Sequence, residues 1–199
     1  MRITKIFNVE SSHRVVNCSS KRCKYSVHGH SAVIEVTLEG MTPDNGGMLY
    51  DFGLMKSTIK EFIDSMDHCH LLYDKDDKDY IDFIKSHNAR WISLPVSPSA
   101  EFLSAVIFRY INYILSHTYP ANGEGTVKVY SVKYHETRTG SATCFAEDID
   151  TWFPEEHMKN VQFSDGVIED WSIDLFNVIY TEGYQIKNKP VTQQAPKNW

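Results

Sequence analysis

Apolar and polar positions alternate most clearly over residues 31–39, "SAVIEVTLE". Ala32, Ile34, Val36 and Leu38 face one way, and Val33, Glu35, Thr37 and Glu39 the other. A period of two predicts a strand with one face on a core. "ITKIFNVE" (3–10) predicts an earlier strand, and "MTPDNGG" reads as a loop from its Pro, Asn and Gly. The period then changes. In "MKSTIKEFIDSM", Met55, Ile59, Phe62, Ile63 and Met66 form one helical stripe, with Asp67 and His68 placed at the helix end. Residues 73–97 are charged and then irregular, a long connection with room for a short helix. A second helix follows in "SPSAEFLSAVIFRYINYILSH", with Ser97 as N-cap and Pro98 at the first helical position. Its buried stripe is Leu103, Val106, Ile107, Tyr110, Ile111, Ile114 and Leu115. "TVKVYSVKYHE" (126–136) and "SATCFAED" (141–148) predict two strands joined by "TRTG", with Gly140 at the turn.

The predicted order is β-β-α-α-β-β. Helices do not alternate with strands one by one, so the fold class is α+β with an antiparallel sheet. Residues 149–199 change character. They are acidic early and carry Trp152 and Trp171. Ile168, Trp171, Leu175 and Ile179 fit one face of a single helix, and "KNKPVTQQAPKNW" reads as a poorly ordered tail. The division expected is a domain over 1–148 and a partly helical extension over 149–199.

Composition narrows the class. The chain has 199 residues, 42% of them hydrophobic and 13% aromatic, enough for a core without disulfide staples. Its apolar runs fall far short of a membrane span, and "MRITKIFNVESSH" lacks the apolar centre of a signal peptide. Cys18, Cys23, Cys69 and Cys144 lack CxxC spacing and predict reduced thiols in a cytoplasmic compartment. The net charge of −6 gives no basic footprint for nucleic acid.

The chemistry sits in "RCKYSVHGHSAVIEVTLEG" (22–40). Residues two apart on a strand project from one face, so His28 and His30 point the same way if residues 28–30 are extended. If the first two strands pair antiparallel, His13 in "VESSHRV" lies beside them. Three histidines with an open fourth position describe a catalytic zinc site. Taken alone, His-x-His describes unrelated histidines equally well. In "MDHCHLL", Asp67 stands beside His68, and a carboxylate that orients an imidazole suits proton transfer near neutral pH. The alternatives are a histidine favoured by a helix dipole, or His70 in that role. Glu136, in "HET" at a strand end, suits two hydrogen bonds from an N–C–N ring edge, or is simply exposed. Cys23, flanked by Lys21, Arg22 and Lys24, suits a nucleophile or base if those cations lower its pKa, and is otherwise inert.

Together these pieces resemble the 6-pyruvoyl-tetrahydropterin synthase / 6-carboxytetrahydropterin synthase family over residues 1–147. The resemblance is carried by "FNVESSHRV", "HGHSAVIEVTLEG", "GMLYDFGLMK", "MDHCHLL", "SPSAEFLS" and "KYHETRTGSA", in that order. It implies the tunnelling fold, a four-stranded antiparallel sheet with two helices on one side. It implies homo-oligomers (trimers or hexamers) with active sites at subunit interfaces. It implies Zn2+ on His13, His28 and His30, catalytic roles for Cys23, Asp67 and His68, and a pterin pocket formed by Glu136, Glu101 and Ser99. The implied activity is a zinc-dependent lyase that converts 7,8-dihydroneopterin triphosphate to 6-carboxy-5,6,7,8-tetrahydropterin, releasing acetaldehyde and triphosphate, as in queuosine biosynthesis. Elimination to the 6-pyruvoyl product, a side-chain aldolase, and a pterin binder without turnover are the alternatives. Arg14, Lys21, Arg22 and Lys24 are candidates to meet the triphosphate. Four features depart from the family: Cys23 stands in a C-x4-HGH spacing, Leu72 replaces an asparagine, the connection between the helices is longer than in the short bacterial enzymes, and the stretch beyond 148 has no counterpart in the motif set.

Overall fold

The computed structural model describes residues 1–188. Its frame is a long hairpin of β1 (Arg2–His13) and β2 (His28–Gly40), paired antiparallel along their whole length. Both strands run further toward the histidines than the alternation predicts. The short helix α1 (Lys21–Tyr25) sits in the connection between them. β6 (Val127–His135) pairs antiparallel with β2, and β7 (Ser141–Phe145) with β6. These strands make the expected four-stranded antiparallel sheet, in the order β7-β6-β2-β1.

The sheet continues past β1 through three short strands. β3 (Cys69–Tyr73) and β4 (Trp91–Leu94) add in parallel, and β8 (Gln162–Phe163) closes the edge antiparallel to β4. Between β3 and β4 lies α3 (Lys78–His87), the short helix expected in that connection, capped by Asp77 accepting from Tyr80 N–H at 3.0 Å. A parallel neighbour needs such a crossover.

The first predicted helix is shorter than its stripe. A 3-10 turn (Leu54–Lys56) leads into α2 (Thr58–Asp64), which ends before Asp67 and His68. The second is α4 (Ala100–Ser116), and its cap is Ser99 rather than Ser97. Ser99 Oγ accepts from Phe102 N–H at 3.4 Å, leaving Pro98 outside the helix with its carbonyl free for another partner. All seven residues of its predicted stripe are buried. They pack on the sheet face built by Phe7, Val9, Ala32, Ile34, Val36 and Leu38. Phe62 of α2 stacks on Tyr110 of α4 with centroids 4.5 Å apart.

Residues 149–188 join the same core. α5 (Ile149–Trp152), a 3-10 turn (Glu155–Asn160), β8, α6 (Asp165–Ile168) and α7 (Ile173–Tyr180) contribute buried Phe153, Val161, Phe163, Val167, Leu175 and Val178. The single helix predicted for Ile168, Trp171, Leu175 and Ile179 is instead two, because Ser172 caps a new start by accepting from Leu175 N–H at 3.3 Å. β9 (Ile186–Lys187) pairs with β5 (Thr118–Tyr119). The predicted tail lies outside the described residues from 189 onward.

Candidate metal centre and its surroundings

Register places the three histidines. His13 at the end of β1 is the direct partner of His28 at the start of β2, and Ser11 is the partner of His30. Opposed residues of an antiparallel pair share a face, so His13, His28 and His30 extend the face that carries Val9 and Ala32. The ring centroids lie 4.7, 5.2 and 5.1 Å apart, and one ligand atom from each ring falls within 4.8 Å of the others.

Two rings are held from behind. His13 Nδ1 lies 2.6 Å from the Pro98 carbonyl, and His28 Nδ1 lies 3.0 Å from the Ser26 carbonyl. A carbonyl accepts only, so each Nδ1 carries the proton and each Nε2 presents a lone pair, the arrangement that outer partners impose on metal-bound histidines. Nε2 of His13 and Nε2 of His30 are buried without a hydrogen-bond partner among the described residues. Buried polar atoms are seldom left so. Burial lowers the His13 pKa to about 4, against the Pro98 carbonyl, so the ring is neutral at neutral pH. This donor set fits zinc. Gly29, between two of the rings, lies against β1: a Cβ there would stand 3.0 Å from the Ser11 carbonyl oxygen.

Glu136 follows β6 and brings Oε1 to 3.6 Å from His13 Nε2 and 3.7 Å from His30 Nε2. Ser99 and Glu101 come from the start of α4, beside the Pro98 that holds His13. Ser99 Oγ is used as the helix cap, and Glu101 borders a separate cavity of about 240 Å3 with Cys144, Asp148 and Trp152. Cys23 is partly exposed on α1, and its carbonyl accepts from Val15 N–H at 2.9 Å, which ties α1 to the chain just past His13. Cys18 Sγ is engaged with the Ser20 carbonyl at 3.1 Å.

Asp67 and His68 lie in the turn between α2 and β3, not in a helix. His68 Nδ1 is 2.9 Å from Asp67 Oδ2, and the His68 side chain is 77% exposed. The turn is locked to β1: Glu10 N–H donates to Asp67 Oδ1 at 2.7 Å, and His68 N–H to the Glu10 carbonyl at 2.7 Å. Burial pushes the Asp67 pKa up, but the Glu10 amide and the His68 imidazole outweigh it and hold the carboxylate below its usual range. His68 borders a cavity of about 560 Å3 with Glu10, Ser12, Ser31 and Arg90, and His30 touches its rim. Side chains of Glu10, Ser12 and Ser31 alternate away from the histidine face, and Ser31 Oγ donates to Glu10 Oε2 at 2.7 Å. The histidine trio and the Asp67–His68 pair therefore belong to opposite faces of the sheet.

His70 is occupied elsewhere. Its two nitrogens lie 2.7 Å from Ser12 Oγ and 2.6 Å from Tyr80 Oη, and burial lowers its pKa to about 4. Arg14 is likewise engaged: it grips Asp76 through Nε at 2.8 Å and through Nη2, and lies 3.6 Å over the Tyr80 ring. Lys21, Arg22 and Lys24 stand beside Cys23 on α1. Glu10 and Arg90 escaped the sequence reading. Glu10 ends an alternating strand on its polar face, a weak signal, and Arg90 lies in a stretch without periodicity.

Residues 2–147 match the family described as 6-pyruvoyl tetrahydropterin synthase. The chain belongs to that family. Among curated members, the 6-carboxy-5,6,7,8-tetrahydropterin synthase of Helicobacter pylori (strain J99) is 35% identical over 192 residues, covering 93% of this chain and 94% of that protein. The protein of that name from Aquifex aeolicus is 30% identical over 159 residues, covering 70% and 94%. Residues 1–148 are about 74% of the chain, so the Helicobacter match runs well into the extension, which does have a counterpart. Among solved structures, an uncharacterized protein of Wolinella succinogenes aligns with a TM-score of 0.58 at 20% identity, covering 73% of this chain and 98% of its own. The Caenorhabditis elegans 6-pyruvoyl tetrahydropterin synthase aligns at 0.51 and 22%, covering 73% and 95%. Both carry the fold of the family.

Proposed function

We propose that this chain is a zinc-dependent lyase that converts 7,8-dihydroneopterin triphosphate to 6-carboxy-5,6,7,8-tetrahydropterin, with release of acetaldehyde and triphosphate. The observation that carries the reading is the convergence of His13, His28 and His30, with two buried Nε2 atoms left unpartnered among the described residues. The choice of product is supported by the names of the Helicobacter and Aquifex relatives. Zinc, when bound there, supplies Lewis acidity toward side-chain hydroxyls of the substrate.

In this reading the chain's own groups divide the remaining work. Pro98 and Ser26 hold the two imidazoles so that Nε2 faces inward. Glu136, on the same face, accepts hydrogen bonds from the N–C–N edge of the pterin, and Ser99 and Glu101, at the start of α4, are assigned to the same pterin pocket. His68 takes and returns a proton, oriented at Nδ1 by Asp67, whose depressed pKa keeps it anionic and able to stabilise an imidazolium. Cys23, among the α1 cations, is the second proton-moving group. Residues 1–148 form the catalytic unit and the remainder supports it. The protein assembles as a trimer or hexamer, a reading supported by β7, whose outer edge is unpaired among the described residues.

The test is to incubate the zinc-loaded protein with 7,8-dihydroneopterin triphosphate and identify products by mass. Acetaldehyde with 6-carboxytetrahydropterin is expected. A 6-pyruvoyl product would move the chain to the other branch of the family. Bound but unchanged substrate would make it a pterin binder.

A further inference from the structure

The Asp67–His68 turn is held in an uncommon shape. His68 has φ +50°, the left-handed region that a side chain other than glycine occupies at a cost. Such a conformation persists only where its surroundings over-determine it. On one side that is done by the two hydrogen bonds to Glu10. On the other side stands a single guanidinium.

Arg90 spends all five of its N–H groups on this turn and on the extension. Nε donates to the Asp67 carbonyl at 3.1 Å, and Nη2 to the carbonyls of Asp64 at 3.2 Å and Ser65 at 3.5 Å. These are carbonyls at the end of α2 and beyond, where a helix terminus leaves acceptor capacity for a side-chain donor; the Asp64 carbonyl also accepts from Asp67 N–H at 3.0 Å. Nη1 donates to the Gly166 carbonyl at 2.7 Å and to Asp170 Oδ2. A planar fork with five donors serves five acceptors this way, and an ammonium with three donors at one point does not.

The extension is fitted to that task. Gly166 lies so close to the segment between α3 and β4 that an added Cβ would stand 2.6 Å from the Ala89 carbonyl oxygen. Ser164 brackets Trp91, accepting at Oγ from its N–H at 3.0 Å and donating its own N–H to its carbonyl at 3.0 Å. Trp171 Nε1 donates to Ser65 Oγ at 2.7 Å. Residues 164–171 thus grip both α2 and the segment that carries Arg90.

We propose that Arg90, locked by Gly166 and Asp170 of the extension, is the positioning residue that sets the Asp67–His68 pair at its working angle. The catalytic role of that pair is the one assigned under Proposed function. With no N–H left over, Arg90 holds the turn and does not bind substrate.

The test uses the full-length, zinc-loaded protein and three variants, Arg90→Lys, Gly166→Ala and Asp170→Ala. Arg90→Lys is expected to lower kcat about 100-fold, the loss that a misplacement near 1 Å brings, with KM within about twofold of wild type. Site-resolved amide exchange is the second readout. The N–H groups of Glu10 and His68, which report the turn's two bonds to β1, should exchange at least about tenfold faster while the core amides of Ile34 and Ile107 stay protected. Gly166→Ala and Asp170→Ala should move both readouts in the same direction by less. Three results would overturn the proposal: wild-type kcat in Arg90→Lys, a KM rise with kcat held, or a fall in kcat with Glu10 and His68 amides as protected as in wild type. If Arg90→Lys does not fold, the two extension variants decide by the same criteria. If wild-type protein turns over no pterin, the functional reading fails on its own. The exchange data then stand alone, where unchanged amides reject the positioning role and faster ones uphold it.

Discussion

At the scale of single residues, the buried histidines carry a consequence for stability. Burial lowers both His13 and His70 from 6.5 to about 4, so both rings are neutral in the folded protein. The unfolded chain therefore binds protons that the folded chain refuses between pH 6.5 and about 4. Stability contributed by the neutral rings is fully present above pH 6.5 and is lost as pH falls toward 4. For the metal-free protein, urea midpoints measured at intervals from pH 7 to 4.5 should fall. His70→Gln, which keeps polar atoms for Ser12 and Tyr80, should remove about 2 kcal/mol of that fall. Parallel profiles for wild type and variant would sink the assignment. The same scale separates what sequence can and cannot reveal. The histidine trio was legible because strand periodicity and one pairing fix three side chains at once. The free Pro98 carbonyl, the positive φ of His68 and the five-fold use of Arg90 were not, since each depends on chain segments distant in sequence.

Among elements, β2 and α4 were readable because each repeats its period long enough to be unambiguous, and their predicted buried positions are the observed ones. β3 and β4 were missed for the opposite reason. "CHLLY" and "WISL" are short and buried almost throughout, so they present no alternation to read. The extension misled in another way. Ile168, Trp171, Leu175 and Ile179 fit one helical face, yet the Ser172 cap divides them, with Ile168 ending α6 and Trp171 in the turn before α7. That break frees Trp171 to reach Ser65 and to set its ring 4.9 Å from Phe163. Trp171→Ala should therefore cost about 3 kcal/mol, from lost packing in a site the small side chain cannot fill. Trp171→Phe, which loses chiefly the Nε1–H bond, should cost about 1 kcal/mol. Denaturant titration of both variants checks the split. Losses below about 0.5 kcal/mol in both, the level of an ordinary surface change, would mean that the extension adds nothing to the domain it covers.

For the whole molecule, the opposite-face arrangement bears on how many chains the proposed function needs for one site. His13, His28 and His30 share the core-side face at one end of the β1–β2 pair, while Asp67–His68 opens on the other face with Glu10 and Ser12. A substrate held at the trio of one chain meets the pair of another only if chains associate with these faces together, and the outer edge of β7, unpaired among the described residues, offers a route to a closed ring. His13→Ala and His68→Ala homo-oligomers should each be inactive. Mixed by co-refolding, they should regain activity. A working site then needs its trio from a His68→Ala chain and its pair from a His13→Ala neighbour, so random assembly restores about a quarter of wild-type turnover. Sites built within one chain would give none, because every chain in the mixture lacks one half. The same mixing with His13→Ala and Cys23→Ala asks where the thiol acts. Cys23 is tied by Val15 to the strand end of its own trio, so both lesions fall on the same chain's half of the site. That pair should stay inactive, and recovery would place Cys23 with the neighbouring chain's Asp67 and His68 instead.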